Sequence, residues 1–131
     1  MTPPQPHNPF LQFIGADLIE WEPGHCLWQM DMRPELLNTR EGLHGGAIAT
    51  LMDVACAYSG FCPENGILRE RSSTLSLTTQ YLSPVRAKRV TARGWLCGGG
   101  QRIYFAEAEL LDGSTVLARA SGNFRRYAIE P

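Results

Sequence analysis

Most of the short motifs that would declare a chemistry are missing from this 131-residue chain. Its four cysteines, Cys26, Cys56, Cys62 and Cys97, form no C-x-x-C pair, and with only three histidines no zinc-finger spacing arises. There is no H-E-x-x-H helix for metal hydrolysis and no G-K-[ST] phosphate loop. Ser59-Gly60 and Ser121-Gly122 lack the G-x-S-x-G frame of a serine-hydrolase elbow. A metal site is therefore not expected. Charge of one sign is also scarce: 12 Lys and Arg against 13 Asp and Glu leave a net charge of −1, so no basic field selects nucleic acid as a partner. No apolar run approaches the roughly 18 residues that span a bilayer, and the start has neither basic residues nor an apolar stretch of the signal-peptide kind. A cytoplasmic, reduced protein with no membrane partner is the expectation.

What is present suits one globular domain. Hydrophobic residues make up 44% and charged residues 19% of the chain. Residues 1–9 hold four prolines and read as a flexible arm, leaving 10–131 as a single domain. A short helical turn is expected at 10–14. Strands follow at 16–21 and 26–32, joined at Pro23-Gly24, and then comes a loop over 34–43. Residues 47–60 are rich in helix formers and are stopped by Gly60, enough for about four helical turns. Beyond Gly66 the period changes to two. In 74–82 Leu75, Leu77 and Tyr81 fall on one face, Pro84 ends the strand, and 90–97, 103–111 and 115–127 complete the set. Gly98-Gly99-Gly100 and Asp112-Gly113 read as turns. Two strands, one long helix and about four more strands give an α+β fold, an antiparallel sheet of five to six strands packed on a single major helix.

The helix carries an anomaly. It is apolar nearly all the way round, which marks a buried helix, yet Asp53 sits in its middle. A carboxylate there either bonds a backbone group or an arginine, or it does chemistry. Its neighbours at helical spacing, Ala49, Cys56, Ala57 and Gly60, are small enough to admit another backbone or a ligand. His44-Gly45-Gly46 precedes the helix. The two glycines serve either as a plain turn or to expose the first helical N–H groups, which have no intrahelical partners and lie at the positive end of the dipole. Such donors can hold a developing oxyanion while a carboxylate attacks or activates water. Eight residues separate Gly45 from Asp53, about 12 Å along a helix. One chain cannot bring both to one carbonyl, whereas two copies with antiparallel helices can, so a two-fold dimer with shared sites is expected.

The run Asn38-Thr39-Arg40-Glu41-Gly42-Leu43-His44-Gly45-Gly46-Ala47-Ile48-Ala49-Thr50-Leu51-Met52-Asp53 resembles the N-x-x-x-G-x-H-G-G-x-x-x-x-L-x-D signature of hotdog-fold acyl-CoA thioesterases. The subgroup it most resembles is that of the phenylacetic-acid-degradation (PaaI-like) enzymes. Residues 73–84, which end in Tyr81-Leu82-Ser83-Pro84, and residues 100–109 and 118–122 resemble later strands of that family. The resemblance implies a hotdog fold and hydrolysis of an aryl-, phenylacetyl- or medium-chain acyl-CoA, with coenzyme A as part of the substrate and no separate cofactor. It makes Asp53 the catalytic base or nucleophile and Gly45 the carbonyl-polarising amide. His44 supports that turn, and Asn38 orients substrate or water. Thr74, flanked by Ser72, Ser73 and Ser76, bonds the attacking water. Asn38 and Gly45 would come from one subunit, Asp53 and Thr74 from its partner, within a homodimer that pairs into a dimer of dimers. Coenzyme A carries phosphates, so Arg86, Lys88 and Arg89 are candidates for the pocket mouth, with Arg125 and Arg126 behind them. Tyr58 and Phe61 are candidates for the acyl pocket. An enoyl-CoA hydratase or dehydratase on the same fold and a non-catalytic acyl-CoA-binding module are the alternatives.

Overall fold

A computed structural model describes residues 3–129. Helix α1 (Pro9–Ile14) leads into the hairpin of β1 (Ala16–Glu22) and β2 (His25–Asp31). A 3-10 turn (Pro34–Leu36) precedes the long helix α2 (Gly45–Tyr58). Strands β3 (Glu70–Tyr81), β4 (Arg89–Gly99), β5 (Ile103–Asp112) and β6 (Thr115–Ala128) follow. The six strands form one antiparallel sheet in the order β1-β2-β4-β5-β6-β3. The sheet curls round α2, which packs against β2, β3, β4, β5 and β6. This is the α+β architecture that the sequence pattern and the resemblance both imply. Gln5, in the proline-rich arm, exchanges two hydrogen bonds with the Leu18 backbone, of 2.7 and 2.8 Å.

The apolar character of α2 is matched by its burial: Ile48, Leu51, Met52, Val54, Ala55, Cys56 and Ala57 are all enclosed. A helix buried at its C-terminal end must satisfy its last carbonyls, and side chains from the sheet do this. Cys26 Sγ donates to Ala55 O, and Tyr104 OH donates to Ala57 O. Trp21 Nε1 donates to Tyr58 O and Phe61 O. Arg126 donates from Nε to Gly60 O and from a terminal nitrogen to Gly100 O and Gln101 O, with its guanidinium 4.4 Å over the Tyr104 ring. Four strands thus hold one helix end, and the helix has no freedom to slide. Gly94 of β4 marks the closest approach, because a Cβ there would lie 1.8 Å from Ala55 O.

Three local expectations are corrected. The helix begins at Gly45, not at Ala47, because His44 caps it from outside the glycine pair. Strand β4 runs through Gly98 and Gly99, with a bulge between Leu96 and Gly98 that delays its end. The third concerns β3, where Leu75 does not share a face with Leu77 and Tyr81. A bulge lies between Thr74 and Ser76, leaving Leu75 outside the ladder and 52% exposed. Before the bulge Thr74 pairs with the fully buried Phe124 and faces α2. After it Leu77, opposite Gly122, packs on the core. One extra residue has shifted the phase of the strand, and with it the faces.

Candidate active site

The phase shift decides which hydroxyl meets the carboxylate. Thr74 Oγ1 donates to Asp53 Oδ1 across 2.6 Å. In an unbroken alternation that kept Leu77 inward, Thr74 would point away from the helix and Ser73 or Leu75 would take its place. Asp53 is half-buried between the helix and β3. Burial pushes its carboxyl above the ordinary carboxylate range, and the bond from Thr74, which favours the charged form, pulls it part of the way back. A carboxylate with raised basicity and one fixed oxygen can serve as a base or a nucleophile.

The other half of the arrangement lies at the start of α2. His44 Nδ1 accepts from the Gly46 N–H at 2.8 Å, which requires the ring proton to sit on Nε2. His44 O accepts from Ala47 and Ile48. The Gly45 N–H is left over: nothing among the described residues accepts from it. It lies beside a cavity of about 470 Å³ whose lining includes Asn38, Arg40, Ile48, Tyr81, Leu82 and Arg86. Asn38 shapes the loop before the helix. Its Oδ1 accepts from the Arg40 and Gly42 N–H groups at 2.8 and 3.1 Å, and Glu41 takes a positive φ of 64° inside that turn. Leu43 N–H then ties the loop to Val85 O at 2.8 Å. An unpartnered amide at the positive end of a helix, open to a cavity, can bind a carbonyl oxygen.

The structure thus brings the expected residues together in two groups, Asp53 with Thr74, and Asn38, His44 and Gly45 at the other helix end. Neither Asp53 nor Thr74 lines the cavity. Of the basic candidates, Arg86 lines it, whereas Lys88 and Arg89 do not. The Arg89 guanidinium is engaged by Asp31 at 2.6 Å. Arg126 is occupied by carbonyls, and Arg125 lies over the Tyr127 ring. Tyr58 and Phe61 do not line the cavity either. They pack with Trp21, and Tyr58 also packs on Trp28, in an aromatic group around the far end of α2. Sequence reasoning missed Arg40, which stood inside the quoted Asn38–Gly42 motif, and Tyr81, which stood in the quoted strand end.

The fold agrees with the comparisons. The model of the family described as the thioesterase superfamily matches residues 42–119, from the loop before α2 to the last strand. The chain belongs to the thioesterase superfamily. A medium/long-chain acyl-CoA thioesterase of Escherichia coli K12, YigI, is 32% identical over 117 residues, covering 79% of this chain and 76% of that protein. Conserved protein PA5202 of Pseudomonas aeruginosa superposes with a TM-score of 0.83 at 25% identity, over 92% of this chain and 94% of that one. A variant of the phenylacetic acid degradation protein PaaI from Thermus thermophilus superposes with a TM-score of 0.79 at 25% identity, over 92% and 100%. This thioesterase-superfamily chain is thus PaaI-like over nearly its whole length.

Proposed function

We propose that the protein hydrolyses acyl-CoA thioesters to a free acid and coenzyme A. The observation that carries this reading is the pairing of a half-buried, Thr74-bonded Asp53 with an unpartnered Gly45 N–H at the start of the same helix. The superfamily and the named activity of YigI support it.

Because about 12 Å of helix separates the two groups, the reacting centre is shared between two copies. In a two-fold dimer with antiparallel α2 helices, Asp53 of one protomer faces the partner's Gly45. The half-open side of α2 at Ala49, Thr50 and Asp53 and the unpaired edge of β3 beside it supply the surface for that contact. The thioester carbonyl accepts from the Gly45 N–H, which stabilises negative charge as the carbon becomes tetrahedral. Asp53 takes a proton from the attacking water, or adds to the carbonyl itself. In either route the carbon–sulfur bond breaks, the thiolate leaves as coenzyme A, and water supplies the oxygen of the acid. Thr74 fixes the carboxylate. Arg40 and Arg86, at the cavity, meet the phosphates of coenzyme A, and the protein works in the cytoplasm as a dimer of dimers.

A thiol-release assay over aryl-, phenylacetyl- and medium-chain acyl-CoAs tests this reading. Turnover falls by at least ~100-fold in Asp53→Asn. A folded Asp53→Asn protein with full turnover would falsify the mechanism. Water addition to an enoyl-CoA without thiol release would assign the site to a hydratase instead.

A further inference from the structure

The two Gly45-Gly46 residues have no side chains to anchor them, yet the amide that faces the cavity must hold one direction. The peptide unit joining them is gripped at both ends. Its N–H donates to His44 Nδ1 at 2.8 Å, and its carbonyl accepts from Tyr81 OH at 2.9 Å. Tyr81 is the last residue of β3 and lines the cavity with half its surface exposed. Its phenol end lies against Gly45: a Cβ at that position would sit 3.5 Å from the ring carbon Cε1 and 3.7 Å from the hydroxyl. The preceding peptide, whose N–H faces the cavity, is held at one end by its own carbonyl, His44 O, which accepts from the Ala47 and Ile48 N–H groups, and at the other by the Gly45 Cα, which the gripped 45–46 peptide keeps in place.

We infer that Tyr81 is a positioning residue for the Gly45 amide, acting through the 45–46 carbonyl as Thr74 acts on Asp53. The inference rests on the thioesterase reading above and deepens it. It also gives β3 a double task. Thr74 and Tyr81 are seven residues apart on one strand, about 23 Å. In a dimer with shared sites, each copy of β3 therefore orients the carboxylate of one site and the amide of the other.

The test compares Tyr81→Phe with wild type. The ring and its packing remain, and only the hydroxyl is lost. The expected result is a fall in kcat of about three- to ten-fold, the worth of one net hydrogen bond, with KM changed less than about two-fold. Backbone amide exchange at Gly46 speeds up in the same variant, a readout that needs no turnover. Unchanged kcat with unchanged Gly46 exchange overturns the inference, and so does a rise in KM alone. Subunit mixing separates it from the shared-site reading. A hybrid of Asp53→Asn and Tyr81→Phe protomers holds one intact site and one doubly altered site, so an equal mixture gains about a quarter of wild-type activity from its hybrids. Where Asp53→Asn and His44→Ala protomers complement on mixing, so that sites are shared, no gain with Tyr81→Phe means that Tyr81 serves the carboxylate of its own chain, which also overturns the inference; where neither mixture gains, the shared-site reading fails and Gly46 exchange still decides the role of Tyr81. If wild type releases no thiol, the functional reading fails, and Gly46 exchange still decides whether Tyr81 holds the amide.

Discussion

Gly94→Ala adds one methyl group where β4 presses on the backbone of α2, and touches none of the groups assigned to the chemistry. The new Cβ would lie 1.8 Å from Ala55 O and 2.3 Å from Ala55 C, both backbone atoms that cannot rotate away. Ordinary contact begins near 3.4 Å, so helix and strand must part by about 1.6 Å. The helix end cannot yield freely, because Cys26, Tyr104, Trp21 and Arg126 hold its carbonyls. Overpacking a core costs about 1–3 kcal/mol, and a backbone clash at a pinned helix belongs at the upper limit. For a domain of this length ~3 kcal/mol lowers Tm by about 10 °C. Asp53 lies two residues before Ala55, so a shift on the order of 1 Å also reaches the carboxylate and lowers turnover by up to ~100-fold. Calorimetry and thiol release on the purified variant measure both effects. Gly98→Ala on the same strand is the control, since nothing lies within 4 Å of its added methyl. It should melt close to wild type. A Gly94→Ala protein melting within about 2 °C of wild type would refute the packing argument.

Further outcomes concern the carboxylate and the helix clamp. Turnover rises with pH as Asp53 ionises, and Thr74→Val, which removes the bond favouring the charged form, moves that rise to higher pH in a pH–rate profile; a profile unmoved or moved to lower pH contradicts the assignment. Since the folded protein raises the Asp53 pKa, the stability this group contributes is greatest below the unfolded carboxylate range and is lost as pH rises through the folded value. Asp53→Asn should therefore melt higher than wild type at about pH 7, with the difference closing at about pH 3, and a lower Tm at neutral pH counts against a desolvated carboxylate. Arg126→Ala strips three carbonyls and the Tyr104 face of their partner and should cost about 2–3 kcal/mol in urea unfolding, with Arg126→Lys recovering only part; a loss below about 0.5 kcal/mol would show the clamp to be idle.

The legible parts of this molecule were those written in local pattern. Asp53 stood out because it is the one charge in a run of helix formers, and Gly45-Gly46 because paired glycines before a helix are conspicuous. The hairpins declared themselves at Pro23-Gly24 and Asp112-Gly113. Thr74 was reached through family resemblance rather than alternation, and alternation alone pointed the wrong way. The bulge at Leu75 is set by pairing with β6, a partner some fifty residues further along the chain, so no window of sequence contains its cause. The same holds for Tyr58 and Phe61. Their apolar character said that they would be covered, but whether a ligand or Trp21 covers them depends on where the first hairpin lands. Arg89 looked free until Asp31, from another strand, was placed beside it. Tyr81 read as one more apolar strand residue, because the direction of a phenol group is a property of the folded register.

The bulge also makes β3 behave like a message with a frameshift. Excising the single codon for Leu75 would merge its two halves into one continuous frame. Leu77 and Tyr81 would keep their anchorage, and the threonine upstream, already opposite Phe124 as Ser76 is opposite Asn123, would stay on the inner face beside the aspartate. The frame that supports the acid is thus the one the strand keeps without its extra leucine, which rides outside the ladder. A descendant without that leucine would keep its acid supported, whereas one that drew it into the pairing would turn the threonine outward and leave the acid alone.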